Sequence, residues 1–163
     1  MLFRATRHAQ GAAFMAVVPG RLTGQPRICL GTLGPWATNL ITGVADSNMD
    51  RAPLVVLTGQ ADSKRQHKES HQAMDVVSMF KPVTKWAHSI LHPDSIPEVI
   101  RKAFKLAKQE KPGACHVELA EDIAEMDTDA VPIIYRRVRR AVPADKTVDQ
   151  AFELIAAAKR PII

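Results

Sequence analysis

The run Pro53 to Thr58, PLVVLT, is a continuous β-branched and aliphatic stretch ended by Gly59. Such a run, bounded by a turn residue, reads as a buried strand. Arg27–Leu30 and Ala114–Leu119 read the same way, and Val83–Ile90 is a further strand candidate. Helical patterns lie between these runs. Strands that alternate with helices imply an α/β layer structure, a parallel sheet flanked by helices.

The first helical stretch covers about Gln10 to Val18. Gly11, Ala12, Ala13 and Ala16 make one side small, and Pro19 with Gly20 is expected to end it. A glycine-bearing turn, Gly31 to Trp36, leads from the Arg27–Leu30 strand into a helix that starts near Ala37 or Thr38 and runs to about Asn48. Gln60 to Gln72 is polar and reads as a loop, followed by a short apolar helix or turn at Asp75–Phe80. Asp94 to Glu110 is the best-defined helix. Ser95 and Glu98 have capping-box spacing, Pro97 sits in the first turn, and Ile96, Val99, Ile100, Ala103, Phe104 and Ala107 recur on one face. Asp127 to Asp145 reads as a linker, Thr147 to Lys159 is amphipathic again, and Pro161–Ile163 resembles the opening of a strand.

Of 163 residues, 46% are apolar and 24% charged, so global disorder is excluded. No apolar run nears the roughly 18–20 residues that span a bilayer, and the N-terminus lacks a secretory pattern. The expectation is a cytoplasmic protein with no membrane partner. Cys29 and Cys115 lie in apolar runs without CxxC spacing, which favours buried reduced thiols over a disulfide or metal pair. The formal charge of +5 falls to +1 without the four arginines of Tyr135–Arg140, so the basicity is one local cluster. No aromatic interleaving or binding motif accompanies it beyond Tyr135, and no nucleic-acid partner is expected.

The turn Gly31–Asn39 follows a strand and precedes a helix, a place where backbone N–H groups can meet a polar ligand. It matches neither a dinucleotide fingerprint nor a P-loop, so a tight turn without a ligand stands equally beside a site. His67 and His71, four apart, read as a solvated polar loop, as metal ligands without a third partner, or, for His71 and Gln72, as substrate-site residues. His8 is read as a hydrogen-bonding residue at a helix start, and His116 as structural.

RHAQGAAFMA, GRLTG, CLGTLGPWATNLITGVADSNMDRAPLVVLTGQ, HQAMD, FKPVTKW and KPGACHVELAEDI follow one another in the order and spacing of acetolactate synthases. The resemblance covers nearly the whole chain. It implies a pyrimidine-binding domain of a thiamine diphosphate enzyme over residues 1–127, truncated at its N-terminus, a linker at 128–145, and the start of a central domain at 146–163. It further implies condensation of two pyruvates to 2-acetolactate and CO₂, in a branched-chain amino-acid or acetoin pathway. Mg²⁺ would be held by a domain outside this chain, and the full-length enzyme would be a homodimer or tetramer. HQAMD is more similar to the FAD-independent catabolic type, with FAD dependence left open.

Carried over residue by residue, the resemblance puts Gly34, Pro35 and Asn39 beside the cofactor and Gln72 and His71 at the reacting centre. Ala9 occupies the position of the family's glutamate, which hydrogen-bonds the pyrimidine ring. Alanine cannot do so, and the catalytic role there is lost. Trp36 replaces a glycine and is expected to obstruct the cofactor. A chain cut at both ends, inactive alone and poorly soluble or oligomeric, is therefore expected. Glyoxylate carboligase, a relative that lacks the glutamate and still works, offers one alternative. A non-catalytic interaction domain that keeps the fold is another.

Overall fold

Parallel strands cannot be joined by tight hairpins; each pair needs a crossover that packs on a face of the sheet. The computed structural model, which describes residues 3–68, 70–134 and 141–162, shows this arrangement. Strands β1 (Arg27–Gly31), β2 (Leu54–Gln60), β3 (Trp86–Ile90) and β4 (Ala114–Ala120) form one sheet. Its order is β1-β2-β4-β3, and every neighbouring pair is parallel. The helices are α1 (Ala9–Thr23), α2 (Pro35–Thr38), α3 (Ile41–Met49), α4 (Val76–Phe80), α5 (Ile96–Lys108), α6 (Glu121–Glu125) and α7 (Asp145–Ala157).

The path steps outward from β1 to β2 to β3, then turns back to β4. Crossovers of one hand put their helices on opposite faces when the direction reverses. The core divides accordingly. Leu54 and Val56 of β2 join Ala13, Val17, Val44 and Phe80 in one buried cluster, on the side of α1, α3 and α4. Val55 of the same strand joins Val99, Ala103, Cys115 and Val117 in a second, on the side of α5. The small side foreseen on the first helix serves close packing: a Cβ on Gly43 of α3 would lie 2.6 Å from the Ala13 Cβ.

Several boundaries differ from the sequence expectation. Helix α1 runs through Pro19 to Thr23. The proline forfeits one backbone bond, but buried Ala16, Val17 and Gly20 hold both sides of it against the core, and tertiary packing outweighs propensity. The stop comes at Gly24, left-handed at φ 64°, whose N–H donates to the Gly20 carbonyl. The helix expected from Ala37 to Asn48 is two pieces, α2 and α3, joined by a tighter turn in which the Leu40 N–H donates to Ala37. The capping box at Ser95 is not formed. A 3₁₀ turn, Pro93–Ser95, precedes α5, and the Ser95 hydroxyl donates back to the His92 carbonyl at 2.7 Å. Strand β3 begins at Trp86, because Lys81–Val83 is another 3₁₀ turn. Strand β2 continues past Gly59 because β4 extends beside it, pairing Gly59 with Leu119 and Gln60 with Ala120.

Every residue of α7 is exposed, and Pro161–Ile162 forms no strand. The arginine cluster of Tyr135–Arg140, and Ile163, lie outside the described residues. No helix among the described residues is long and apolar enough to cross a membrane.

Strand β1 is an edge strand. Cys29 faces the α1 side and is buried, whereas Ile28 and Leu30 face the other side and are 41% and 57% exposed. Helix α5 packs on β2, β4 and β3, and Ile28 and Leu30 belong to neither buried cluster. An apolar edge left open invites association. We expect the isolated chain to self-associate in light scattering, and Ile28→Thr with Leu30→Lys to raise the monomer fraction. A sharp monomer peak from the unmodified chain at high concentration would count against this.

Candidate functional site

All four strands are parallel, so their carboxyl ends, Gly31, Gln60, Ala120 and Ile90, share one edge of the sheet. In open α/β sheets ligands bind outside such ends. The loops after β1 and β2 meet here. Gly34 has φ 58° and ψ −127°, a backbone that side chains adopt only under strain. A Cβ added to Gly34 would lie 2.7 Å from both the Cβ and the carbonyl oxygen of Gln72. Gln72 is itself left-handed, at φ 59°. Two loops thus touch through backbone, one without a side chain and one held in an uncommon conformation.

The turn continues into α2 with Pro35 at its first position, where a missing N–H costs nothing. The Thr38 and Asn39 N–H groups donate to the Gly34 and Pro35 carbonyls at 3.1 Å, and the Thr38 hydroxyl donates to Pro35 at 3.0 Å. Pro35 and Asn39 are exposed, and Trp36 is 46% exposed.

Ala9 opens α1. His8 caps that helix by accepting the Gln10 N–H at its Nδ1, the hydrogen-bonding role foreseen for it. The Ala9 methyl is buried in the cluster that also holds Ala37 of α2 and Leu40. The structure thus brings Gly34 and Gln72 together, and sets Ala9 and α2 in one apolar cluster. It leaves His71 exposed. His67 is exposed too, and 63–68 forms turns rather than a helix, so the two histidines share no helical face. Among the described residues no group of three His, Cys, Asp or Glu could hold a metal ion.

A buried polar array beneath the site was not foreseen from the sequence. Thr58 and Gln60 of β2 and His116 and Glu118 of β4 lie on the α1 side of the sheet, all at most 6% exposed. Thr58 Oγ1 and His116 Nε2 are 2.8 Å apart, and the imidazole stacks on Phe80 at 4.1 Å. The Gln60 amide donates to Glu118 Oε2 at 3.0 Å. Polar residues two apart inside apolar runs, T-G-Q and H-V-E, were the available signal. Burial pushes His116 down to about 4 and raises Glu118. Burial pushes the Cys29 thiol up to about 12 and Cys115 to about 11, so neither is a ready nucleophile.

Residues 2–79 match the family model described as thiamine pyrophosphate enzyme, N-terminal TPP binding domain. Over 165 residues the chain is 37% identical to a probable acetolactate synthase large subunit of Methanococcus aeolicus, covering 97% of this chain and 28% of that protein. It is 41% identical over 157 residues to the catabolic acetolactate synthase of Raoultella terrigena, covering 96% and 28%. It is 36% identical over 163 residues to the acetolactate synthase large subunit of Corynebacterium glutamicum, covering 96% and 26%. The chain belongs to the acetolactate synthase family of thiamine pyrophosphate enzymes. It spans little more than a quarter of the length of these relatives. Its parallel sheet flanked by helices is consistent with the pyrimidine-binding domain of such enzymes.

The residues fit thiamine diphosphate in part. The turn and the Gln72 loop form a surface at the carboxyl edge of the sheet, with Trp36 and Met74 partly exposed beside polar backbone. At the start of α1, however, Ala9 offers only a buried methyl. No proton-transfer step can be assigned to it.

Two outcomes test this geometry. Gly34→Ala is expected to lower stability by about 1–3 kcal/mol in urea unfolding, from backbone strain and the clash with Gln72; an unchanged midpoint would refute the close approach. His116 binds its proton less readily folded than unfolded, where its value is near 6.5. Its contribution is therefore fully present above pH 6.5 and is lost as pH falls toward 4, by roughly 3 kcal/mol. His116→Gln should flatten that part of the stability–pH curve, and a curve identical to that of the parent would show that the imidazole charges freely.

Proposed function

We propose that this chain forms the pyrimidine-facing half of a thiamine diphosphate site in an acetolactate synthase. That enzyme condenses two pyruvates to 2-acetolactate and CO₂. The observation that carries the reading is the backbone contact between Gly34 and Gln72. It unites the two loops whose residues the resemblance sets beside the cofactor and the reacting centre. Gly34, Pro35 and Asn39 would border the pyrimidine, and Gln72, with His71 next to it, would face the 2-oxo acid. When bound, the cofactor would supply the carbon that bonds to the 2-oxo acid. The chain's own residues would position that ring and exclude water around it.

The division into a pyrimidine-binding domain at 1–127, a linker at 128–145 and the start of a central domain at 146–163 is part of this reading. It is supported by the confinement of both core clusters to residues 9–123 and by the exposure of every described residue from 141 to 162. Mg²⁺, a partner subunit in a homodimer or tetramer, and a cytoplasmic location are proposed on the same resemblance. The catabolic subtype is proposed on HQAMD, in keeping with the relative named catabolic, and FAD dependence stays open.

The buried methyl of Ala9 favours a second reading, in which this copy keeps the fold but not the carboligation, or works like glyoxylate carboligase without the glutamate. One experiment separates them. The chain replaces the corresponding segment of the Raoultella terrigena enzyme, with Ala9 or with Ala9→Glu. We expect both chimeras to bind thiamine diphosphate with Mg²⁺ in calorimetry. We expect Ala9→Glu to raise 2-acetolactate formation from pyruvate roughly 10²–10⁴-fold, the range of a general acid–base partner. Failure of both chimeras to bind the cofactor would sink the primary reading. Equal, high turnover on glyoxylate would favour the carboligase alternative. We also expect the 163-residue chain alone to show no turnover, and turnover by it would overturn the proposal.

A further inference from the structure

The loop that carries Gln72 leaves β2 after Gln60 and reaches α4 at Val76. Its exposed ties are modest. Ser63 bonds to Asp122, and Arg65 pairs with Glu121 at 2.7 Å, both at the rim in water. One side chain touches both ends of the loop. The Gln60 Oε1 accepts the Ala61 N–H at 2.9 Å, and the Gln60 Nε2 donates to the Met74 carbonyl at 2.8 Å. The second proton of that NH₂ goes to Glu118 Oε2 at 3.0 Å. The amide's oxygen and both of its protons are thus engaged.

The Glu118 carboxylate, the Met74 carbonyl and the Ala61 N–H agree on which way the amide points. With the amide flipped, Oε1 would face a carboxylate oxygen and the Met74 carbonyl, and Nε2 would face the Ala61 N–H, so acceptor would meet acceptor and donor meet donor. Glu118 is 5% exposed and Gln60 6%. Burying an acid at the middle of a sheet is unfavourable, and an apolar pair of similar volume would fill the space at lower cost. What the polar pair adds is direction. Ser89, paired with Glu118 in the register of β3 with β4, donates to the same carboxylate.

We infer that Glu118 and Gln60 are a positioning pair. The carboxylate takes the amide's remaining proton and anchors it to β4, and the amide clips both ends of the 61–74 loop, setting Gln72 against Gly34. The consequence for ligand binding rests on the function proposed above, whereas the clip itself does not. The two can therefore fail separately.

Hydrogen exchange on the 163-residue chain tests the clip without any ligand. The reporters are the bonded amides of Ser63, Arg65, Lys68 and Ala73. Gln60→Leu and Glu118→Leu should each speed their exchange about tenfold, in line with losing a hydrogen bond to a charged group. The double variant should do no more than either single one. Glu118→Gln, which still presents an acceptor to Gln60, should keep the parent rates. If the leucine variants fail to fold, Ser89→Ala should still give roughly a two- to threefold rise. Tryptic cleavage after Lys64, Arg65 and Lys68 should follow the same order. Unchanged loop exchange would overturn the inference, as would equal acceleration in α3 and α5, or a Glu118→Gln variant as fast as Glu118→Leu. A normal clip in a chain whose chimera binds no thiamine diphosphate would sink the proposed function alone.

Discussion

Strand β2 has a hydrogen-bonded neighbour on each side and a helical layer on each face. Leu54, Val55 and Val56 are all fully buried, although successive side chains point to opposite faces. Fully burying such a side chain is worth about 1.5–3 kcal/mol; β4 is enclosed in the same way beside it, and β2 brings the larger aliphatic side chains to both faces. The placement of the rest depends on this strand. Its register with β1 and β4 sets where three loops emerge. Its alternation sends α1, α3 and α4 to one side and α5 to the other. Its last residue, Gln60, is the point from which the Gln72 loop starts.

The same strand changes character along its length. The first residues are aliphatic and make the core. Thr58 and Gln60 are polar and meet His116 and Glu118 across the ladder. Buried polar groups are tolerated when their bonds are made, and most of these are. The exception is Nδ1 of His116, which has no partner. With the proton on Nε2 the ring donates to Thr58 Oγ1 and Nδ1 is a bare acceptor; with it on Nδ1 the Thr58 hydroxyl donates to Nε2. The transition from apolar to polar marks where the sheet stops being only a core and begins to support loops.

Much of this was legible in the residues. PLVVLT, RICL and ACHVEL announced three strands because continuous apolar runs between turn residues have few other uses. The helix Ile96–Lys108 was readable from its spacing. Legibility failed where a local rule met a tertiary one. Pro19 looked like a stop, yet Ala16, Val17 and Gly20 are buried around it. Ser95 and Glu98 had the spacing of a cap, yet Ser95 was already inside a 3₁₀ turn. Periodicity could not reveal the pairing of Gln60 with Glu118, because it requires knowing that β4 sits between β2 and β3. At the candidate site, the family motifs singled out Gly34 and Gln72, but nothing in their spacing said that they touch.

That contact has a consequence for how such a site could diversify. Its geometry is written in main chain: a residue with no side chain on one loop, and a left-handed residue on the other. Trp36 and His71, which flank it, are exposed and take no part in holding it. The frame and its furnishing are therefore separable. Exchange at the two flanking positions can change the surface beside the contact while the distance between the loops stays fixed, whereas any side chain at position 34 would alter that distance at once.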